Sequence, residues 1–345
     1  MEKKTVIIGA GLTGLCIAYL LQKRGINCQI IEANNRVGGR ILTSNHTDKA
    51  PVEMGATWIH AVPEWLNFLK EIGVKLFPQD MGNKAWVDHH NQKVSIDIPK
   101  QEPMYRVEGG TTQITKKLVD LLPKGTITLN SKLTHIKQTY HQITLETEHQ
   151  TIIADQIIST LPPKLMVNTI NCTPALDATY LEIASTCGTW MEYSIKFALR
   201  FKDKFWDQLP YTMFSQTGII QEMYDHSSHD DKYYALKGFL NPRVLDWTEE
   251  ERKKAVINEL RSVYKEHFPS SYDYMDKIWL DDHLVSNRSY EISSPKQNNG
   301  NPILSNPRWN DTLFFAGTET SKNYPGYMEG AFFSAVKTVS KIFIE

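Results

Sequence analysis

Neither sign of charge dominates this sequence. Thirty-eight lysines and arginines (38) stand against 39 aspartates and glutamates, a formal net charge of −1. That balance leaves no basic footprint for a nucleic acid, and a 41% hydrophobic content is not that of a disordered chain. Cysteine is scarce. Cys16, Cys28, Cys172 and Cys187 form no C-x-x-C pair and have no metal-ligand spacing, so they read as reduced structural thiols, and no metal site is expected. No apolar run is long enough to span a bilayer, and an apolar strand begins within a few residues of Met1, where a leader would stand. Repeats and low-complexity segments are also missing. What these absences leave is a soluble, cytoplasmic protein with a small-molecule partner, and with neither a nucleic acid nor a membrane as partner. At 345 residues it has two domains, or one large domain with an inserted lobe.

Residues 5–31, "TVIIGAGLTGLCIAYLLQKRGINCQII", pass from a β-branched run through a glycine turn into a 3.6-period stripe and back to a strand, which is a βαβ unit. Helices are expected over 63–73 and 111–122, a hairpin over 84–98, and short strands through 126–159. Residues 190–201 alternate as a half-buried strand, and further antiparallel strands are expected over 211–240. Thr248 and Glu251 form a capping box for a helix over 248–268. "TLFFAG" (312–317) reads as a buried strand feeding a helix from Tyr327 to Ile344, whose start holds glycines and an aromatic residue in place of a polar cap.

Gly9, Gly11 and Gly14 make a G-x-G-x-x-G turn between strand and helix, and Glu32 closes the second strand. Gly9 permits the tight turn, Gly11 lets a pyrophosphate approach the backbone, and Gly14 lets helix and strand pack closely. The helix N-terminus then faces phosphates while Glu32 accepts from ribose hydroxyls. "RVGGR" (36–40) follows directly, and Gly38, Gly39 and Arg40 add backbone donors and a guanidinium for the same pyrophosphate. This grouping favours FAD over NAD.

Taken together, "VIIGAGLTGL", "IEANNRVGGR", "VEMGATWIH" (52–60), "FFAGTET" (314–320) and "GYMEGA" (326–331) resemble the flavin-containing amine oxidases, the family of monoamine and polyamine oxidases. The resemblance covers both ends of the chain, whereas 165–285 matches in outline. It implies an α/β fold: a discontinuous Rossmann-like FAD-binding domain (1–74, 105–170 and 283–345) with an α+β substrate lobe (75–104 and 171–282) on a mostly antiparallel sheet. It implies FAD contacts from Leu12, Thr13 and Ala33 beside the first motifs, from Gly55, Ala56 and Thr57, from Ile136, and from Gly317, Glu319, Tyr327 and Met328. Tyr327 and Tyr290 are the expected aromatic walls of the substrate site, and Lys196 the residue that holds a water against the flavin. Trp58 and His60 are expected near the substrate entry. Ser289 stands where mitochondrial monoamine oxidases carry a cysteine bonded to flavin, which implies non-covalent FAD.

The implied reaction removes a hydride equivalent from the carbon bearing an amine, the imine hydrolyses to a carbonyl compound, and molecular oxygen takes the electrons and leaves as hydrogen peroxide. Residues 176–282 hold more acidic than basic residues, which leans towards cationic substrates or equally marks a solvated surface. Two alternatives stay open: an FAD-dependent desaturase acting on a C–C bond of a lipid or pigment, and a flavin-bound redox sensor without turnover. An NAD-linked dehydrogenase leaves the C-terminal motifs unexplained.

Overall fold

The computed structural model describes residues 3–46, 48–90, 92–99, 102–140, 142–290 and 293–342. The β-branched run Thr5–Ile8 is wholly buried at the centre of a five-stranded sheet. The spatial order is Leu313–Phe315, Gln156–Ser159, Thr5–Ile8, Cys28–Ile31, Ile127–Thr128. Every pairing is parallel: Val6 lies opposite Ile157 on one side and Gln29 on the other, and Ile157 opposite Leu313. Parallel neighbours need crossovers that cover the sheet, which is why these strands are near-continuous apolar runs. From Ile8 the chain crosses to one neighbour, while the other arrives from far along the sequence. A crevice therefore opens beyond the carboxyl end of the central strand, the place where open α/β sheets bind ligands.

The first crossover helix, Leu12–Gln22, is buried along most of its length against the last helix, Met328–Ile342. Leu15, Ile17 and Leu21 share a core with Phe332, Ala335 and Val339. Gly14 sets how closely helix and strand approach, because a Cβ there would stand 2.0 Å from the Gly9 carbonyl oxygen. The last helix follows the expected span, with Phe343 and Ile344 outside the described residues.

A four-stranded sheet (Thr151–Ala154, Ile143–Thr147, Leu133–Gln138, Asn171–Thr173) packs Ile136, Leu145 and Ile152 into one core with Val6 and Ile8. The third sheet has seven strands in the order Asp273–Ile278, Ile195–Phe201, Tyr234–Leu240, Ile220–Asp225, Thr212–Phe214, Lys84–His89, Gln92–Asp97. It is antiparallel except where Thr212–Phe214 meets Lys84–His89. The helix foreseen from the capping box spans Glu249–Tyr264, with both halves of the box formed. Its Val256, Ile257 and Leu260 cover Phe197, Leu199 and Leu236.

One expectation is corrected here. Ile195–Phe201 is buried at all seven positions rather than on one face. The helix covers Ile195, Phe197 and Leu199, while Ala198 on the other face packs against Ala50, Val52 and Met54. Any polar side chain on that second face is therefore an interior group. Among the described residues no helix is long and apolar enough to cross a membrane.

Gly14→Ala drives a methyl group into the Gly9 carbonyl and is expected to cost about 1–3 kcal/mol, read as a lower thermal midpoint. Gly11→Ala is the contrast: a Cβ there meets nothing within 4 Å, so its thermal midpoint stays at the wild-type value while the dinucleotide end of the crevice loses affinity for its ligand.

Candidate active site

A cavity of about 740 Å³ starts at the crevice and runs without a break to the seven-stranded sheet. At its first end, Gly9 (φ +101°), Gly11, Leu12 and Thr13 form the turn into the first helix. The Glu32 carboxylate accepts the backbone N–H groups of Ala10 at 2.7 Å and Asn34 at 2.8 Å, which leaves a lone pair on each oxygen for the cavity. Arg36 is used differently from Arg40. It donates to the carbonyls of Val37, Gly39 and Ile41 and so folds its own loop, whereas Arg40 reaches across 279 residues to make two bonds, 2.6 and 2.9 Å, to the Glu319 carboxylate.

Gly55, Ala56 and Thr57 line the same cavity as Gly317, Tyr327 and Met328. Gly326 answers the unusual start of the last helix. It has φ +90°, and a Cβ there would lie 2.5 Å from Trp190 Cγ, so only glycine lets that indole close onto the helix start. Trp190 and Tyr327 then stand with ring centroids 5.4 Å apart and planes at 50°. The Lys296 ammonium sits over both rings, 4.4 Å from the Trp190 centroid and 5.0 Å from that of Tyr327. His60 packs edge-on against Tyr327, its backbone N–H donates to Glu329 Oε1 at 2.9 Å, and its Nδ1 lies 3.3 Å from the same oxygen.

At the far end Lys196 is 5% exposed and lines the cavity. Its ammonium donates to the Gly55 carbonyl and, at 3.3 Å, to Thr57 Oγ1. Burial pushes this lysine down to about 8, against the opposing charge of Glu53. Lys237, two residues from Phe239 on the neighbouring strand, donates to the same hydroxyl. Phe239 lies under both ammonium groups, 4.8 Å from Lys196 and 5.4 Å from Lys237.

Most residues singled out from sequence meet at this cavity: Gly9, Gly11, Leu12, Thr13, Glu32, Ala33, Gly38, Gly39, Arg40, Gly55, Ala56, Thr57, Trp58, His60, Lys196, Gly317, Tyr327 and Met328. Four do not line it. Gly14 packs on Gly9, Glu319 stands behind Arg40, and Ile136 is fully buried in the second core, with Leu133 reaching the cavity instead. Tyr290 lies in a turn closed by its N–H to Asn287 O, which Arg288 holds at the surface through Asp246 and Asp281. Among the described residues the rings beside Tyr327 are those of Trp190 and His60. Sequence reading also missed Lys237, although "YALKGFL" alternates and places it on the face of Phe239.

The end of the cavity at the glycine turn fits a flavin dinucleotide. Gly11 is open towards it, Arg40 and Glu32 supply opposite charges, and Ser131 Oγ is buried at its wall with no hydrogen-bond partner. The family profile for flavin containing amine oxidoreductases matches residues 94–342, and that of an NAD(P)-binding Rossmann-like domain matches 7–72. The chain belongs to the flavin-containing amine oxidoreductase family. It is 23% identical to a probable flavin-containing monoamine oxidase A of Dictyostelium discoideum, over 98% of this chain and 96% of that protein. It is 20% identical to polyamine oxidase 2 of Arabidopsis thaliana, over 95% and 85%. Among solved structures, a putrescine oxidase bound to putrescine superposes with a TM-score of 0.85 at 17% identity over 100% of both chains. Cyclohexylamine oxidase from Brevibacterium oxydans gives 0.84 at 16% over 99% of each. This amine oxidoreductase uses FAD, and the Rossmann-like fold with an antiparallel substrate lobe is the family's.

Two outcomes follow for the enzyme. Arg40→Met leaves Glu319, 1% exposed, as an uncompensated buried carboxylate and is expected to cost roughly 3–5 kcal/mol in chemical denaturation. Adding Glu319→Gln recovers part of that loss. The Glu329 carboxylate holds the His60 imidazole above its ordinary pKa, against the pull of burial. The stabilisation is complete below the unfolded-state pKa of about 6.5 and is lost as pH rises through the raised folded value. The thermal midpoint of His60→Phe should therefore fall furthest behind wild type at pH 6, with the gap narrowing at pH 9.

Proposed function

We propose that this flavoenzyme oxidises a small monoamine or polyamine at the cavity end floored by Lys196 and walled by Tyr327 and Trp190. The observation that carries the reading is the continuity of the cavity: one space joins the dinucleotide turn at Gly9 to the Lys196 ammonium. Gly9, Gly11, Glu32 and Arg40 would hold FAD along the cavity's first part, where it would supply a two-electron acceptor, with molecular oxygen as the final acceptor. The chain's own residues orient the substrate. Two aromatic faces and Phe239 leave a narrow apolar approach, and a primary ammonium already rests on the Trp190 and Tyr327 rings, that of Lys296. An incoming amine takes the same faces by displacing that ammonium. Beyond the rings the Lys196 charge and the apolar walls disfavour an ammonium and favour the neutral amine, the form that loses a hydride. Lys196 positions a water at the reacting face, and Trp58 and His60 border the entry.

Non-covalent attachment of FAD is part of the same reading. Ser289 precedes Tyr290, and among the described residues no cysteine lines the cavity. Burial pushes the Cys187 thiol up to about 12 and holds it inert, as suits a cytoplasmic setting. The chain divides into the FAD domain (1–74, 105–170, 283–345) and the substrate lobe (75–104, 171–282).

Anaerobic mixing of the FAD-loaded enzyme with primary, secondary and polyamine substrates checks this. One class of amine bleaches the flavin, and oxygen restores the colour with release of peroxide. Lys196→Met slows the bleaching by roughly 10²-fold or more, and acid precipitation of the protein leaves FAD in the supernatant. A flavin that no amine bleaches sinks the reading.

A further inference from the structure

Lys237 is a buried cation that the oxidation of an amine does not call for. It is 1% exposed, does not line the cavity, and lies behind Trp58, with its ammonium 4.8 Å from the indole centroid. Among the described residues no carboxylate stands within 4.0 Å of either Lys196 or Lys237, although buried charges are normally paired. Both amines converge on one acceptor, Thr57 Oγ1, which brings the two side chains together.

A count of hydrogens shows what this geometry permits. The Thr57 hydroxyl has a single proton, directed to the Gly55 carbonyl at 3.3 Å, so its oxygen accepts from both lysines. An ammonium at Lys196 has three N–H groups. One goes to Gly55 O and one to Thr57 Oγ1, and the third is left for a neighbouring lone pair. A neutral amine at Lys237 keeps two N–H groups, one of them for Thr57, and has that lone pair. Two ammonium groups would satisfy the hydroxyl equally but would face each other as like charges away from water.

We propose that Lys196 and Lys237 hold one proton between them above Thr57, carried on Lys196, and that Lys237 is the positioning residue that fixes the charge and place of Lys196. The surroundings favour this partition. Lys196 faces the cavity and the Glu222 carboxylate, whereas Lys237 is deeper, near Arg106 and His226. Glu53 lies within electrostatic range of both, its carboxyl taken up by Thr43 and Thr111. On the remaining strands Tyr224 is opposite Lys237, and Lys277, opposite Lys196, pairs with Asp282 at 3.1 Å. Burial, then the charge of Lys196, drives Lys237 well below an ordinary lysine. The floor of the cavity thus presents one positive charge, and a cationic amine meets half the repulsion that two ammonium groups would give.

The proposal rests on the active-site reading for its role but is tested without turnover. In FAD-loaded enzyme carrying lysine labelled with ¹³C at Cε, NMR titration of the Lys196 signal is followed in wild type and in Lys237→Met, with Lys196→Met giving the assignment. Loss of a neutral acceptor removes a group that favours the charged form, so the Lys196 midpoint should move down in Lys237→Met by about one pH unit or more. Lys237→Gln is the second variant should Lys237→Met fail to fold. A midpoint that rises would mean that both lysines carry charge, and one that does not move would mean that they do not share a proton. Either overturns the proposal. An enzyme that oxidises no amine would overturn the active-site reading and leave this titration intact.

Discussion

The ion pair between Arg40 and Glu319 is the interaction on which the rest of the site depends. It joins the glycine loop after the second strand to the segment that follows the last strand, across 279 residues of chain. Glu319 is buried to 1% exposure, so its charge is tolerable only with a partner of fixed geometry, and a guanidinium making two parallel bonds is that partner. The same carboxylate is 3.4 Å from the backbone N–H of Trp190. One buried charge thus holds the dinucleotide loop, the last helix and the aromatic wall in a common frame. Glu319 was expected to touch the cofactor. It does not line the cavity itself, and pairs with Arg40, which does.

Close backbone approach completes that frame. Gly14 against Gly9, Gly326 against Trp190 and Gly330 against the Tyr324 carbonyl each occupy space that a methyl group would fill, with Cβ distances of 2.0, 2.5 and 2.1 Å. Such contacts are stiff because interiors are close-packed, so the first and last helices keep a fixed distance from the cavity. This explains the unusual start of the last helix. Tyr324, Gly326 and Tyr327 are shaped by what they pack on, and the Thr318 hydroxyl donates to the Tyr327 carbonyl at 2.7 Å, tying the helix start to the segment after the last strand.

The dinucleotide half of the site was legible in the sequence because its chemistry is done by backbone. Glycines at fixed spacing, a terminal acidic residue and an apolar strand leave a local signature, and Gly9, Gly11, Glu32 and Gly38 all stand where spacing put them. The other end of the cavity is built from side chains that meet only through the tertiary fold. Trp190 reaches Tyr327 from 137 positions away, and no local pattern announces it. Tyr290 had the right spacing from the last strand, but the ion pairs of Arg288 hold its turn at the surface. Alternation did place Lys196 opposite Ile195 and Phe197. It left open whether that face met solvent, which depended on Ala50, Val52 and Met54 closing it.

Net charge was a poor guide to what the cavity contains. The acidic excess of 176–282 is met in part by basic partners from outside that span: Asp177 by Arg308 at 2.6 Å, Asp273 by Lys49 at 2.5 Å, Glu192 by Lys164 at 3.5 Å. Glu222 is different. It borders the cavity and accepts the Tyr224 hydroxyl at 2.8 Å, and its field acts on Lys196 rather than on solvent. The floor is therefore cationic inside a lobe that is acidic by count. A cationic floor with apolar walls disfavours an ammonium there by desolvation and like charge, and so favours a neutral amine at that end without a dedicated base.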